Sequence, residues 1–271
     1  MIKALKVLCE QIRYTPFIFR MVRFGNKSSY QNMYLGQLWR VLNPILQVSV
    51  YFAMFGTGLR TFSNRPGGAL GFLAWMLLGM GAWQYTKTGI MRGSRSISAQ
   101  LNLSTKVKFP LTVFPAIEVA SQIWTIITLG ILSMIVAHFS NLHQVFNWWE
   151  ALYFFIAMNI FTYSIALFSS TIEILIPDYK TVLSTILGLG MWVAGVILPL
   201  DNMNNLLGSI LRLSPFYYLV YGFRDSLLTN DEVFDSVFID GTIIFWAVTL
   251  IFLVVGTHLH YKFKNLFSEY K

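Results

Sequence analysis

The run LTVFPAIEVASQIWTIITLGILSMIVA, residues 111–137, decides the fold. It carries a single charge, Glu118, and exceeds the roughly 20 residues a helix needs to cross a hydrocarbon core. Barrel strands would alternate polar and apolar positions over about ten residues. This run does not alternate, so a helix is the form that satisfies its backbone in lipid. Working outward with charges as punctuation, similar runs emerge at 42–59, 70–86, 151–172, 181–200 and 242–259. The expected fold class is all-α: an integral membrane chain with six transmembrane helices. Composition agrees, since 55% of residues are hydrophobic and only 12% charged, with a mean hydropathy of +0.58, whereas a soluble domain carries about 25% charge. The 271 residues read as one membrane domain: a segment at 1–41, a six-helix core at 42–259 and a tail at 260–271. The connections leave no room for a separate nucleotide-binding domain, so any energy source is expected in another chain.

Basic residues set the expected orientation. Lys3, Lys6, Arg13, Arg20, Arg23, Lys27 and Arg40 precede the first run. Arg92, Arg95, Lys106 and Lys108 join the second to the third, with Lys87 near that helix end. Lys180, Lys262, Lys264 and Lys271 fall on the same side, leaving Arg60, Arg65, Arg212 and Arg224 for the other. Both termini are therefore expected in the cytoplasm. The net charge of +8 then reflects flanks facing anionic lipid, and no nucleic-acid partner is expected. Charges interrupt every apolar stretch before residue 41, which argues against a cleavable signal, and a lone Cys9 permits no intrachain disulfide.

Three connections read as structured. Thr15 and Pro16 suit an N-cap and first helical position, after which Phe17, Ile18, Met21 and Val22 share one face while Arg20, Arg23 and Lys27 take the other. That pattern predicts an amphipathic helix in the cytoplasmic interface, with a surface helix packed on the bundle as the plainer alternative. Residues 92–110 (RGSRSISAQLNLSTKVKFP) predict a short helix around 94–103, a surface on which a soluble partner can dock; a plain loop is the alternative. Residues 201–230 hold apolar pieces at 206–213 and 216–223, too short to cross, so two outer re-entrant helices split at Pro215 are expected.

Motifs of enzymatic chemistry are missing: GxxxxGK[ST], GxGxxG, GxSxG and HExxH do not occur. Glu118 and Glu173 are acids inside apolar runs, which carries a functional hypothesis by default, but both fall within about two turns of an expected cytoplasmic helix end. His258 and His260 are two apart, so on a helix they point to opposite faces and no metal site is expected. His138 and His143 border Trp148 and Trp149, which read as part of an aromatic belt. Ser184-x3-Gly188 and Gly190-x3-Ala194 allow close helix approach, for dimerisation or internal packing. Tyr51, Phe52, Phe55, Trp83, Trp192 and Tyr217 are candidates to line a substrate path by stacking on sugars or acyl chains, against the commoner fate of aromatics that face lipid or one another.

Four stretches taken in order carry a resemblance. YQNMYLGQLWRVLNPILQ (30–47), NLSTKVKFPLTVFPAIEVAS (102–121), IPDYKTVLSTILGLGMWVAGVILP (176–199) and LRLSPFYYLVYGFRDSLL (211–228) resemble the transmembrane subunits of type-2 ABC exporters that move polysaccharides and teichoic acids. The teichoic acid permeases are most alike, with O-antigen and capsule permeases as near relatives. The resemblance implies a homodimer in the bacterial cytoplasmic membrane, two separate cytoplasmic ATPase subunits that hold ATP and Mg, and a lipid-linked polymer, here wall teichoic acid, as cargo. No cofactor is expected in this chain, which would not be an enzyme by itself. It also implies that 94–104 is the coupling helix seated on the ATPase, through Ser94, Ser98, Gln100, Leu101, Asn102 and Leu103, with Asp178 at a second contact. Phe17, Ile18, Arg20, Met21 and Arg23 would belong to the interface helix against membrane lipid. O-antigen, capsule, drug or glycolipid export on the same architecture is the main alternative. A membrane-embedded enzyme acting on a lipid-linked sugar is a remoter one, because convergent carboxylates are missing.

Overall fold

The computed structural model describes residues 2–28, 34–57, 67–104, 110–140, 146–197, 200, 206–228 and 236–264. Regular structure among them is entirely helical. Helices α1 (Ile2–Arg13) and α2 (Thr15–Ser28) precede α3 (Trp39–Tyr51), which runs on into a π-helical turn at Phe52–Thr57. Then come α4 (Gly68–Ser104), α5 (Val113–Ser121), α6 (Ile123–Phe139), α7 (Trp148–Leu175), α8 (Tyr179–Val193), α9 (Leu206–Arg212), α10 (Pro215–Leu228) and α11 (Ser236–Phe263). The six apolar runs fall on α3, α4, the α5–α6 pair, α7, α8 and α11. Val113–Phe139, Trp148–Leu175 and Asp240–Phe263 are long and apolar enough to cross a membrane.

The remaining three runs depart from their expected boundaries. α3 gives way to π geometry from Phe52, short of residue 59. α8 was expected to reach residue 200 but stops at Val193, because Gly195 takes a positive φ of 62° and closes a Schellman turn. The N–H of Val196 bonds to the Met191 carbonyl and that of Gly195 to the Trp192 carbonyl. At 15 residues, α8 spans about 22 Å. α4 departs the other way. The separate short helix expected at 94–103 is instead the last part of one 37-residue helix, about 55 Å long. Its polar end stays helical because it is packed: Gly93, Ser94, Ser96 and Ile97 are buried, and Ile97 clusters with Ile174 of α7.

α4 is the axis of the bundle, packed against α5, α6, α7 and α10. Phe72, Met76, Trp83 and Tyr85 along it are almost wholly buried. α4 crosses α7 closely at Gly89 and Gly93: a Cβ there would lie 2.7 Å from Thr162 Cγ2 and 2.6 Å from Ala166 Cβ. Gly89 and Gly93 form a small-x3-small pair at this crossing. In α8, Gly190 packs against the Trp83 ring, the internal packing its motif allows, while nothing in this chain lies within 4 Å of a Cβ on Gly188. Several polar groups are paired across helices: Ser133 Oγ donates to the Ala74 carbonyl (2.7 Å), Tyr85 Oη to Asn159 Oδ1 (2.6 Å), and Trp246 Nε1 to Tyr153 Oη (2.9 Å).

The N-terminal helices are held to this bundle. Val7 of α1 is buried with Tyr163, Leu167 and Leu253. Gln11 Nε2 donates to the Thr112 carbonyl and to Tyr163 Oη, while Thr112 Oγ1 donates to Glu10 Oε2. Thr15 begins α2, but not as an N-cap: its hydroxyl donates back to the Gln11 carbonyl (2.9 Å), fastening α2 to α1. The α2 face expected in the lipid interface packs on protein instead. Phe17, Ile18, Met21 and Val22 close over Val113, Phe114 and Ile117 of α5. What faces outward is Phe19 and Phe24 among the exposed Arg20 and Arg23, joined by Leu5 and Ile12 of α1. Pro215 opens α10 directly after the short α9, so the expected split into two short helices is present.

Candidate functional site

A cavity of about 370 Å³ opens between α3, α4 and α8. Gln47, Val50 and Tyr51 line it from α3; Met80, Trp83, Gln84 and Lys87 from α4; Gly188 and Met191 from α8. Gln84 Nε2 donates to Gln47 Oε1 (2.8 Å), a bridge between α3 and α4 at the wall. A second hollow of about 180 Å³ shares Gln84 and continues along α4 past Thr88 to Arg92, with Asn43 on α3 and Ser121, Gln122 and Thr125 opposite. The walls combine aromatic faces with amides, hydroxyls and two cations, a set able to take a polar, partly anionic ligand beside apolar surface.

Of the six aromatic path candidates, the structure brings Tyr51 and Trp83 into this cavity. Phe52 packs against the core and Trp192 is exposed on α8. Tyr217 is buried, stacked on Tyr221 and pressed against Gly195. The side chain of Phe55 lies outside the described residues. Sequence reasoning missed Gln47 and Gln84, and treated Lys87 only as a residue able to reach the interface. Solitary polar residues in apolar runs form no motif.

Beyond the second hollow, α4 continues as an arm. Arg95 Nε stands 3.8 Å from Glu173 Oε1 near the end of α7, where Glu173 is 9% exposed. Ser98 is exposed and its hydroxyl donates to the Arg95 carbonyl, whereas Ser94 is buried and bonds back to Met91. Gln100 is half-buried; the side chains of Leu101, Asn102 and Leu103 lie outside the described residues, although their backbone is helical. Asp178 is exposed just before α8, in the tight turn that follows α7. Glu173 thus lies beside the base of the arm in a loose ion pair.

Toward the Gly68 end of α4 lies a residue no motif announced. Arg224 of α10 is 3% exposed; Nη1 donates to the Gly195 carbonyl (2.9 Å) and Nη2 to the Val196 carbonyl. Its guanidinium lies 3.5 Å from the centroid of the Trp75 ring and fills the space a Cβ on Gly79 would need. Arg224 therefore holds the Schellman end of α8 against α4 and α10. The available signal was Arg-Asp inside an otherwise apolar stretch, which marks an ionisable pair worth explaining. His258 is exposed and His260 buried, on opposite faces of α11, and among the described residues no group of three His, Cys, Asp or Glu side chains could hold a metal. His143, Arg60 and Arg65 lie outside the described residues.

The family model described as ABC-2 type transporter matches residues 17–228, which takes in the cavity, the arm and the Arg224 clamp. The O-antigen export system permease protein RfbA of Myxococcus xanthus is 24% identical over 257 residues, covering 92% of this chain and 95% of that protein. The protein of the same name from Klebsiella pneumoniae is 21% identical over 244 residues, covering 90% of each chain. The helical fold, the apolar spans and a match over most of the sequence agree: the chain belongs to the ABC-2 type transporter family, as a membrane transport subunit whose ATPase is a separate subunit.

Proposed function

We propose that this chain is the permease of an ATP-driven exporter that carries a lipid-linked cell-surface polysaccharide out through the bacterial cytoplasmic membrane. The observation that carries the reading is the continuity of α4. One helix lines the cavity with Trp83, Gln84 and Lys87 and ends in an arm tied to α7 through Arg95 and Glu173. A push on the arm from an ATPase reaches the cavity without crossing a flexible joint. In this reading Ser98, Gln100, Leu101, Asn102 and Leu103 meet the ATPase, with Asp178 as a second contact, and ATP and Mg sit on that partner; Ser94, expected among these contacts, is buried within the bundle and is not one of them. Both termini are cytoplasmic, and six helical segments form the core. Two copies pair through α8, whose exposed Val182, Ile186 and Leu189 form an apolar stripe flanked by Ser184 and Gly188.

The names of the related permeases favour O-antigen-type polysaccharide over teichoic acid, the cargo expected from sequence. The test is copurification with an ATPase followed by reconstitution, with ATP-dependent delivery of lipid-linked polysaccharide scored against lipid-linked teichoic acid. Replacing Asn102 and Leu103 with bulky charged residues is expected to abolish delivery while leaving membrane insertion intact. Unaltered delivery would remove the coupling assignment, and transport indifferent to nucleotide would remove the exporter.

A further inference from the structure

The two hollows along α4 share a feature that aromatic stacking does not use. Gln84 lines both hollows, Thr88 and Arg92 follow it at intervals of four residues in the smaller one, and Lys87 lines the larger, so amide, hydroxyl and two cations form a broad polar stripe across two adjoining hollows. Among the described residues, Lys87 makes no hydrogen bond or ion pair, although it lines the larger cavity. Arg92 lines the smaller one and acts electrostatically on Glu118 of α5, but no ion pair within 4 Å ties it down. A cation held over a cavity wall at membrane depth is costly and marks a site for a counter-charge. On the export reading, with Gly68 at the outer border, Lys87 lies about 28 Å along α4, near the inner border of a hydrocarbon core about 30 Å thick, and Arg92 about 7.5 Å farther on. That is the depth at which a lipid carries its phosphate.

We infer that Lys87 and Arg92, with Gln84 and Thr88, form a subsite for the phosphate or diphosphate that joins a lipid carrier to its glycan, while Trp83 and Tyr51 contact the adjoining sugar or isoprenoid. The inference rests on the export reading and names the chemical group by which the cargo is recognised. Lysine serves as the point charge, and arginine can engage two phosphate oxygens in parallel. The amide and hydroxyl groups supply neutral hydrogen bonds, so the group is held without being locked in, as transport demands.

The test uses the permease purified with its ATPase and a polyprenyl diphosphate as probe, with uncharged polyprenol and phosphatidylglycerol vesicles as comparators. The complex is expected to prefer the diphosphate. Lys87→Gln should weaken that binding about tenfold, a change of the size a charged hydrogen bond contributes, and Arg92→Gln somewhat less. Lys87→Arg should retain it, and all three variants should bind polyprenol as before, which also reports on folding. Unchanged diphosphate affinity in Lys87→Gln overturns the subsite. Competition by phosphatidylglycerol as strong as by the diphosphate overturns its assignment to the carrier, because the stripe would then hold bulk headgroups. A complex that shows the Lys87-dependent preference but, once reconstituted, delivers no polysaccharide on addition of ATP upholds the subsite and overturns the export reading.

Discussion

Arg224, which reaches from α10 to Gly79 of α4, and Lys87 of α4 act about 12 Å apart along that helix, and they are treated in opposite ways. Arg224 is enclosed: two donors are spent on the Gly195 and Val196 carbonyls in the turn that follows α8, and its flat face is spent on Trp75. Lys87 lines a cavity with its charge uncommitted. An arginine fits the enclosed position because a planar fork can serve two carbonyls and an aromatic face together, which a lysine ammonium cannot. The contrast separates a charge that builds the fold from one left for a ligand. It predicts that substitutions around Arg224 act on stability and that substitutions at Lys87 act on binding.

The largest effect is expected at Gly79. A Cβ there overlaps the guanidinium, so Gly79→Ala must displace a buried charge and strand the Gly195 and Val196 carbonyls. The cost should be about 3 to 5 kcal/mol, read as a lowered unfolding midpoint of the detergent-purified chain. Arg224→Met should cost about 3 kcal/mol alone through the two unpaired carbonyls. In that background Gly79→Ala should add little, since the atom it collides with is gone. Fully additive losses would mean that the two residues do not share the clamp.

Next comes the α4–α7 crossing. Gly93→Ala places a methyl 2.6 Å from Ala166 Cβ and should cost about 2 kcal/mol by overpacking. Ala166→Gly in the same chain should recover most of it, a rescue that only direct contact provides. Smaller again is Ser133→Ala, which removes the hydrogen bond to the Ala74 carbonyl between α6 and α4 and should cost about 1 kcal/mol or less. Both are checked by the same unfolding measurement.

These positions show where the sequence was legible. The apolar runs located α3 to α8 and α11 because burial in lipid needs length and hydrophobicity, which composition records directly. Ends were harder. Residues 94–104 look polar, yet Ser94, Ser96 and Ile97 are buried, so contacts with α7 rather than local preference extend the helix. At the end of α8, one glycine in the left-handed region outweighs the apolar residues that follow it. The α2 helix had the expected amphipathic pattern, but a pattern does not say whether an apolar face meets lipid or α5. The site was legible in part: Tyr51 and Trp83 reached the cavity, whereas Lys87, Gln84 and Arg224 acquire meaning only from helices distant in sequence.

The arm offers the smallest stability effect and the clearest break with the Arg224 pattern. Arg95 is 46% exposed, and its 3.8 Å approach to Glu173 is loose and screened by water. Arg95→Gln should therefore change stability by about 0.5 kcal/mol or less, a shift in unfolding midpoint of about 1 to 2 °C. If the arm carries force from the ATPase, however, a weak tie at its base still sets how firmly α4 and α7 move together. Arg95→Gln in the reconstituted complex should then deliver less polymer for each ATP hydrolysed while folding normally, and the swap Arg95→Glu with Glu173→Arg should restore part of the yield. An unchanged yield per ATP would leave the ion pair as surface decoration and shift the burden of coupling to the buried Ile97–Ile174 contact.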